Sequence, residues 1–212
     1  MKVFGSSGTR GVANETLTPE FVLKVAKAAG TVWRAERVAV ARDTRATGRM
    51  LADAAASGLA SVGADVDRLE IIPTPGAQVY AEREEVPVVM ITASHNPPEY
   101  NGVKLVGSDG VELAVEELER IEQKFLVEQF DEARWSETGE SRWVEGARRT
   151  YVEGLLDAVD REKIADADLT VALDPGHGAG ALTSPEFFRQ LLPVAAIGAV
   201  DTGDLASPVP GD

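Results

Sequence analysis

The chain has 212 residues, of which 44% are apolar and only 6% aromatic; 35 acidic against 21 basic side chains leave a formal charge of −14. That length suffices for one large or two modest domains with a real core, built here mainly from Ala, Val and Leu. The negative charge disfavours nucleic acid and anionic membranes as partners, and the absence of cysteine removes disulfide scaffolds, thiolate metal sites and cysteine nucleophiles.

In chain order, Thr18-Pro19-Glu20 reads as the start of an amphipathic helix running to about Trp33, with Thr18 as N-cap and Pro19 at the first helical position. Residues 37–41, RVAVA, predict a strand, residues 48–62 a second helix stopped by Gly63, and residues 66–72 another strand ended by Pro73. A short helix around 77–83 precedes the apolar strand 86–91, a polar loop, and a further strand at 103–106. Val115, Leu118, Ile121 and Phe125 then line one side of a charged helix over roughly 114–130. Residues 131–147 are polar and turn-rich and read as a surface connection. A helix at 148–159 leads to the strand 169–174, a PGHGAG turn and a helix from about Pro185. Alternating strands and helices predict an α/β protein: a three-layer α/β/α sandwich with a mixed sheet over 1–147, followed by an incomplete second domain of similar type over 148–212. The closing segment ASPVPGD offers no element to finish that domain. No apolar run reaches membrane-span length, and residues 1–12 are too polar and glycine-rich for a signal peptide, so a cytoplasmic protein is expected. Fifteen Arg against six Lys on an acidic chain fit a salt-loving host and a GC-rich genome equally well.

The stretch ITASHNPPEYNGVKL, residues 91–105, carries the chemistry. Ser94 falls at the end of a buried strand, where α/β proteins place functional loops. Pro97 and Pro98 stiffen the loop and remove two amide donors. Asn101-Gly102 reads as a tight turn that brings Lys104 back toward Ser94. A hydroxyl, an imidazole, an amide and an ammonium gathered in one small volume suit an anionic group bound on, or passing through, Ser94. A Ser94–His95 hydrolase pair is disfavoured, because neighbours on an extended loop point apart and no G-x-S-x-G elbow is present. The competing reading is a proline-braced loop whose polar groups only satisfy backbone donors.

TASHNPPEYNGVK, residues 92–104, resembles the phosphoserine loop of the α-D-phosphohexomutases. FGSSGTRG at 4–11, with Ser6 in place of the usual Thr, is similar to their N-terminal segment. ARDTR at 41–45, PTPG at 73–76 and LDPGHGAG at 173–180 resemble further family motifs, and the likeness runs to about residue 190. It implies an isomerase of carbohydrate metabolism that interconverts sugar 1- and 6-phosphates. Ser94 would be the phosphoserine, Lys104 the general acid/base or electrostatic stabiliser, and Arg10 the clamp on the phosphoryl group. His95 would bond to substrate or phosphate, and Asn96 would hold the loop's shape. It also implies Mg2+, with Ser94 contributing a ligand through its phosphate, and a glucose 1,6-bisphosphate-type activator. The substrate would be a hexose or hexosamine phosphate. The three metal-binding aspartates of the family's Asp-Gly-Asp-x-Asp-Arg loop are absent from the sequence. The expectation is therefore the N-terminal part of a phosphohexomutase that associates with missing domains, or an inactive fragment that binds a partner or a sugar phosphate. PGHGAG, with His177, reads as a structural strand-to-helix turn, since it lacks the Gly-Lys-Ser/Thr ending of a phosphate loop. Arg42, Asp43 and Arg45 read as a buried or interdomain ion network.

Overall fold

The computed structural model describes residues 3–5, 8–192 and the backbone of 196–197. Ser6 and Ser7 of the FGSSGTRG segment, and the closing ASPVPGD, lie outside the described residues.

Six strands form one mixed sheet. They are β1 (Thr9–Val12), β2 (Arg37–Arg42), β3 (Asp65–Ile71), β4 (Val88–Ile91), β5 (Tyr100–Val106) and β6 (Ser141–Trp143), in the order β1-β5-β4-β2-β3-β6. β4, β2, β3 and β6 run parallel, and antiparallel pairing adds β5 and then β1 at one edge. Helices cover both faces, so the central strands are apolar on both sides. Val38 and Val40 of β2, with Val89 and Ile91 of β4, pack against α1 (Pro19–Trp33), α2 (Gly48–Ser61) and α4 (Val115–Val127). The alternate residues Ala39 and Ala41, with Val88 and Met90, enter a second core with α3 (Thr74–Glu84) and Ala147 of α5 (Ala147–Asp157). This is the three-layer sandwich expected from the alternation of elements.

The local signals act as the sequence predicts at α1. The Phe21 amide donates to Thr18 Oγ1 at 3.2 Å, Pro19 occupies the first turn, and Arg34 closes the helix in the left-handed region at φ 51°. Three elements differ from expectation. The glycine-rich FGSSGTRG motif predicts no strand, yet β1 forms within it by pairing along β5, Arg10 opposite Gly102. The expected surface connection contains β6, which extends the parallel part of the sheet beyond β3 although Ser141, Arg142 and Trp143 are all exposed. Trp143 covers the Arg68 guanidinium at 4.9 Å rather than entering the core, so no buried apolar residue marks the strand. The strand predicted over 169–174 shrinks to β7 (Ala172–Leu173), paired in parallel with β8 (Ala196–Ile197).

Beyond residue 147, α5, α6 (Arg161–Asp166) and α7 (Ser184–Leu191) surround a small third cluster. Val152, Leu156, Leu191 and Leu192 are its buried members, and Val159, Ile164, Val171 and Phe187 pack on them. α5 belongs to both regions: Ala147 enters the second core of the sandwich, and Val152 and Leu156 enter the third cluster.

Candidate active site

β4 and β5 are adjacent antiparallel strands, Ile91 opposite Val103, and the segment 92–99 links them beyond the C-terminal end of β4. Ser94 and His95 are exposed on this segment. Ser94 sits at φ 56°, in the left-handed region that costs a non-glycine residue about 1 kcal/mol or more, so the surrounding contacts must hold it there.

Those contacts come from Asp43 and Arg45, just past the end of β2. The Arg45 side chain is only 4% exposed and uses all five of its N–H groups. Nε donates to Asp43 Oδ2 at 3.2 Å. Nη1 donates to the carbonyls of Pro97 (2.7 Å) and Tyr100 (3.0 Å). Nη2 donates to the carbonyls of Ser94 (2.8 Å) and Asn96 (2.7 Å). Asp43 Oδ2 also accepts from the Thr92 hydroxyl at 2.7 Å, whose oxygen accepts from the Ser94 amide at 3.1 Å. Both backbone polar groups of Ser94 are therefore fixed.

Arg10 reaches the loop from the sheet edge: its Nη1 donates to Asn96 Oδ1 at 2.9 Å, across 86 residues of chain. Lys104 lies two residues beyond Gly102 in β5 and so projects from the same face as Arg10, the residue opposite Gly102. Lys104 stands opposite Met90, inside the sheet, and its Nζ meets Glu112 Oε1 at 2.7 Å. The structure thus brings Arg10 to the Ser94 loop and sets Lys104 on the same face, paired to a carboxylate that sequence reasoning did not single out.

Asn101-Gly102 is not the turn. Both residues are buried within β5. The Asn101 side chain caps the Gly102 amide through Oδ1 (2.9 Å) and donates to Thr47 Oγ1 (3.1 Å). A Cβ on Gly102 would sit 2.6 Å from the carbonyl oxygens of both Thr9 and Thr92, so the glycine is required by the close passage of β1 and the end of β4. The chain reverses instead over residues 94–99, where the Asn96 amide donates to the Ala93 carbonyl and the Tyr100 amide to the Pro97 carbonyl.

The expected Arg42-Asp43-Arg45 network contains two ion pairs, joined by a 3.4 Å bond from Arg42 Nη1 to the Asp43 carbonyl. Arg42 meets Glu70 at 2.8 Å on the side of β3, while Asp43 and Arg45 serve the loop. Sequence reasoning missed the reach of Arg45: the R-D-x-R spacing marks a strand end with paired charges, and nothing in it says that the partners lie 49 to 55 residues downstream. The PGHGAG segment is a turn, with Gly176 and His177 both at φ 59° and the Gly176 amide donating to Asp174 Oδ1 at 2.9 Å. Among the described residues no group of three or more His, Asp or Glu side chains is placed to hold a metal ion. Ser94 alone would supply one oxygen, where a hard divalent cation takes about six, so these residues do not by themselves fit Mg2+.

The family model for phosphoglucomutase/phosphomannomutase, alpha/beta/alpha domain I, matches residues 1–132. The chain is 44% identical over 196 residues to a phosphoglucomutase/phosphomannomutase of Thermococcus kodakarensis, covering 90% of this chain and 43% of that protein. It is 42% identical over 193 residues to a phosphoglucosamine/phosphogalactosamine mutase of Sulfurisphaera tokodaii, covering 90% of this chain and 42% of that one. A solved structure described as a phosphomannomutase of Thermus thermophilus superposes with a TM-score of 0.79 at 32% identity, over 92% of this chain and 45% of that one. The chain thus spans less than half the length of these relatives.

Proposed function

Because the chain belongs to the phosphoglucomutase/phosphomannomutase family, we propose that it is the phosphoserine-bearing part of a phosphohexomutase acting on hexose or hexosamine phosphates in the cytoplasm. In this reading Ser94 carries the phosphoryl group. A sugar-phosphate hydroxyl attacks the phosphorus, the Ser94 Oγ–P bond breaks, the proton of that hydroxyl ends on Ser94 Oγ, and a sugar bisphosphate results. Transfer of its other phosphoryl group back to Ser94 completes the isomerisation. Positioning and charge neutralisation dominate such transfers. Arg10, tied to the loop through Asn96, supplies a guanidinium for the phosphoryl oxygens, Lys104 an ammonium on the same face, paired to Glu112, and His95 a ring beside the nucleophile. The observation that carries this reading is the exposed hydroxyl of Ser94 held in a left-handed backbone by Arg45 and Asp43, with Arg10 delivered to the same loop.

The division into a first domain over 1–147 and a second unit over 148–212 is part of the same proposal; the separate hydrophobic cluster around Val152 and Leu191 supports it. A second reading, an inactive module that binds a sugar phosphate or a partner chain, is favoured by one observation, the lack of a carboxylate cluster among the described residues. Incubation with glucose 1,6-bisphosphate followed by intact-mass analysis tests the main reading. One added phosphoryl group, lost in Ser94→Ala, is expected. No uptake by a folded chain refutes it and leaves the binding module.

A further inference from the structure

Resting on the reading of Ser94 as phosphoryl carrier, we propose that Arg45 is the positioning residue of the reaction: it sets the Ser94 backbone and turns the His95 amide outward as a donor for the phosphoryl group. The carbonyls of Ser94, Asn96, Pro97 and Tyr100 all point at one buried guanidinium. In a trans peptide the N–H points opposite to the C=O, and the chain has no cis bond among its described residues. Gathering these four carbonyls inward therefore turns the far side of each peptide unit outward. For two of the four units that far side is the nitrogen of Pro97 or Pro98, which carries no hydrogen, so nothing is left unsatisfied there. The unit from Tyr100 continues into β5, at Asn101. Only the unit from Ser94 presents a free N–H, that of His95, which has no backbone acceptor among the described residues. The two prolines, the arginine and the left-handed serine thus form one device, in which the one outward amide of the four units is a single peptide unit from the nucleophilic hydroxyl. An amide so placed donates to anionic oxygens without reorganising during transfer.

Arg45 touches no substrate in this scheme and acts through the backbone. Arg45→Lys keeps the charge but cannot reach four carbonyls and Asp43 at once. Two measurements on the full 212-residue chain decide the matter. First, hydrogen exchange of the unphosphorylated protein: the segment 92–101 of Arg45→Lys should exchange roughly 10-fold or more faster than wild type, the factor expected for hydrogen bonds to a charged group, while β2 and β4 keep their protection. Second, the maximal rate at which glucose 1,6-bisphosphate phosphorylates Ser94 should fall by about 100-fold, with little change in the half-saturating concentration, as for a misplaced reacting group. Thr92→Val, which cuts the link from Asp43 to the Ser94 amide, should move both readouts the same way by a smaller factor, and it decides the question if Arg45→Lys does not fold. Unchanged loop exchange in a folded variant overturns the inference, and so does an unchanged transfer rate. A wild-type chain that takes no phosphate would instead sink the proposed function, while the exchange data would still settle whether Arg45 fixes the loop.

Discussion

Replacing Gly102 by alanine tests the geometry that joins the sheet to the loop. The residue is buried in β5, and a Cβ there would lie 2.6 Å from the carbonyl oxygens of Thr9 and Thr92 and 3.1 Å from Arg10 Cγ. Non-bonded heavy atoms rest near ~3.5–4.0 Å, so two of these contacts are severe overlaps. Both involve backbone, which cannot swing aside as a side chain can. Relief requires β1 or the end of β4 to move outward, lengthening the bond from the Thr92 amide to the Gly102 carbonyl, now 3.1 Å. Overpacking typically costs about 1–3 kcal/mol, and rigid partners on two sides place this substitution at about 3 kcal/mol. In a protein of this size that lowers Tm by roughly 6–12 °C. Urea unfolding of wild type and Gly102→Ala, followed by far-ultraviolet circular dichroism, measures it. Phosphoryl uptake at Ser94 should fall as well, because Thr92 and Arg10 are the residues displaced. If Gly102 were instead in an exposed Asn-Gly turn, alanine would cost about 1–2 kcal/mol through the left-handed backbone such a turn requires, and the Thr92 and Arg10 contacts would stay in place. A loss of less than about 1 kcal/mol, below the usual range for overpacking, with normal uptake would refute the packing argument.

Ser94→Gly should raise stability by roughly 0.5–1 kcal/mol, since glycine tolerates φ 56° without strain, while abolishing phosphoryl uptake as fully as Ser94→Ala; unfolding curves and intact mass read the two effects separately. Tyr80, buried and donating to Asp67 Oδ2 at 2.8 Å, has its phenol held well above the usual range, first by burial and then by that hydrogen bond to a carboxylate. The folded state favours the protonated phenol, so its contribution is complete below the ordinary phenol pKa near ~10 and is lost as pH rises above it, by up to about 1.4 kcal/mol per pH unit; unfolding free energies measured from about pH 8 to 11 should show this slope, and Tyr80→Phe should reduce it. Thr18→Ala should cost about 1 kcal/mol in the same unfolding assay by removing the acceptor for the Phe21 amide. The 212-residue chain by itself should give no measurable mutase turnover with hexose or hexosamine 1-phosphates, with or without Mg2+, in a coupled assay; turnover abolished by Ser94→Ala would show that these residues already complete a site.

Local chemistry was legible in the sequence because its causes are local. Thr18-Pro19 starts α1 through a bond across three residues, Gly63 follows α2 at φ 90°, and the doubly apolar run at 88–91 announces a central strand covered on both faces. The SHNPP segment announced its loop for the same reason: prolines and polar residues cannot continue a buried strand. What the sequence could not decide was which distant groups complete that loop. Asn101-Gly102 has the composition of a turn, yet β1 arrives on one side and Thr92 on the other, and the burial they provide makes it a strand. β6 has little intrinsic reason to be a strand and becomes one because β3 offers a free edge with the right register. Arg45 reads alone as one half of a local pair with Asp43. Only the fold, which carries the end of β2 beneath the residues after β4, supplies the four carbonyls that the guanidinium collects and so turns a surface-type residue into the buried centre of the candidate site. Hydrogen-bond partners dozens of residues apart leave no periodicity, and their identity is decided when the strands take their order.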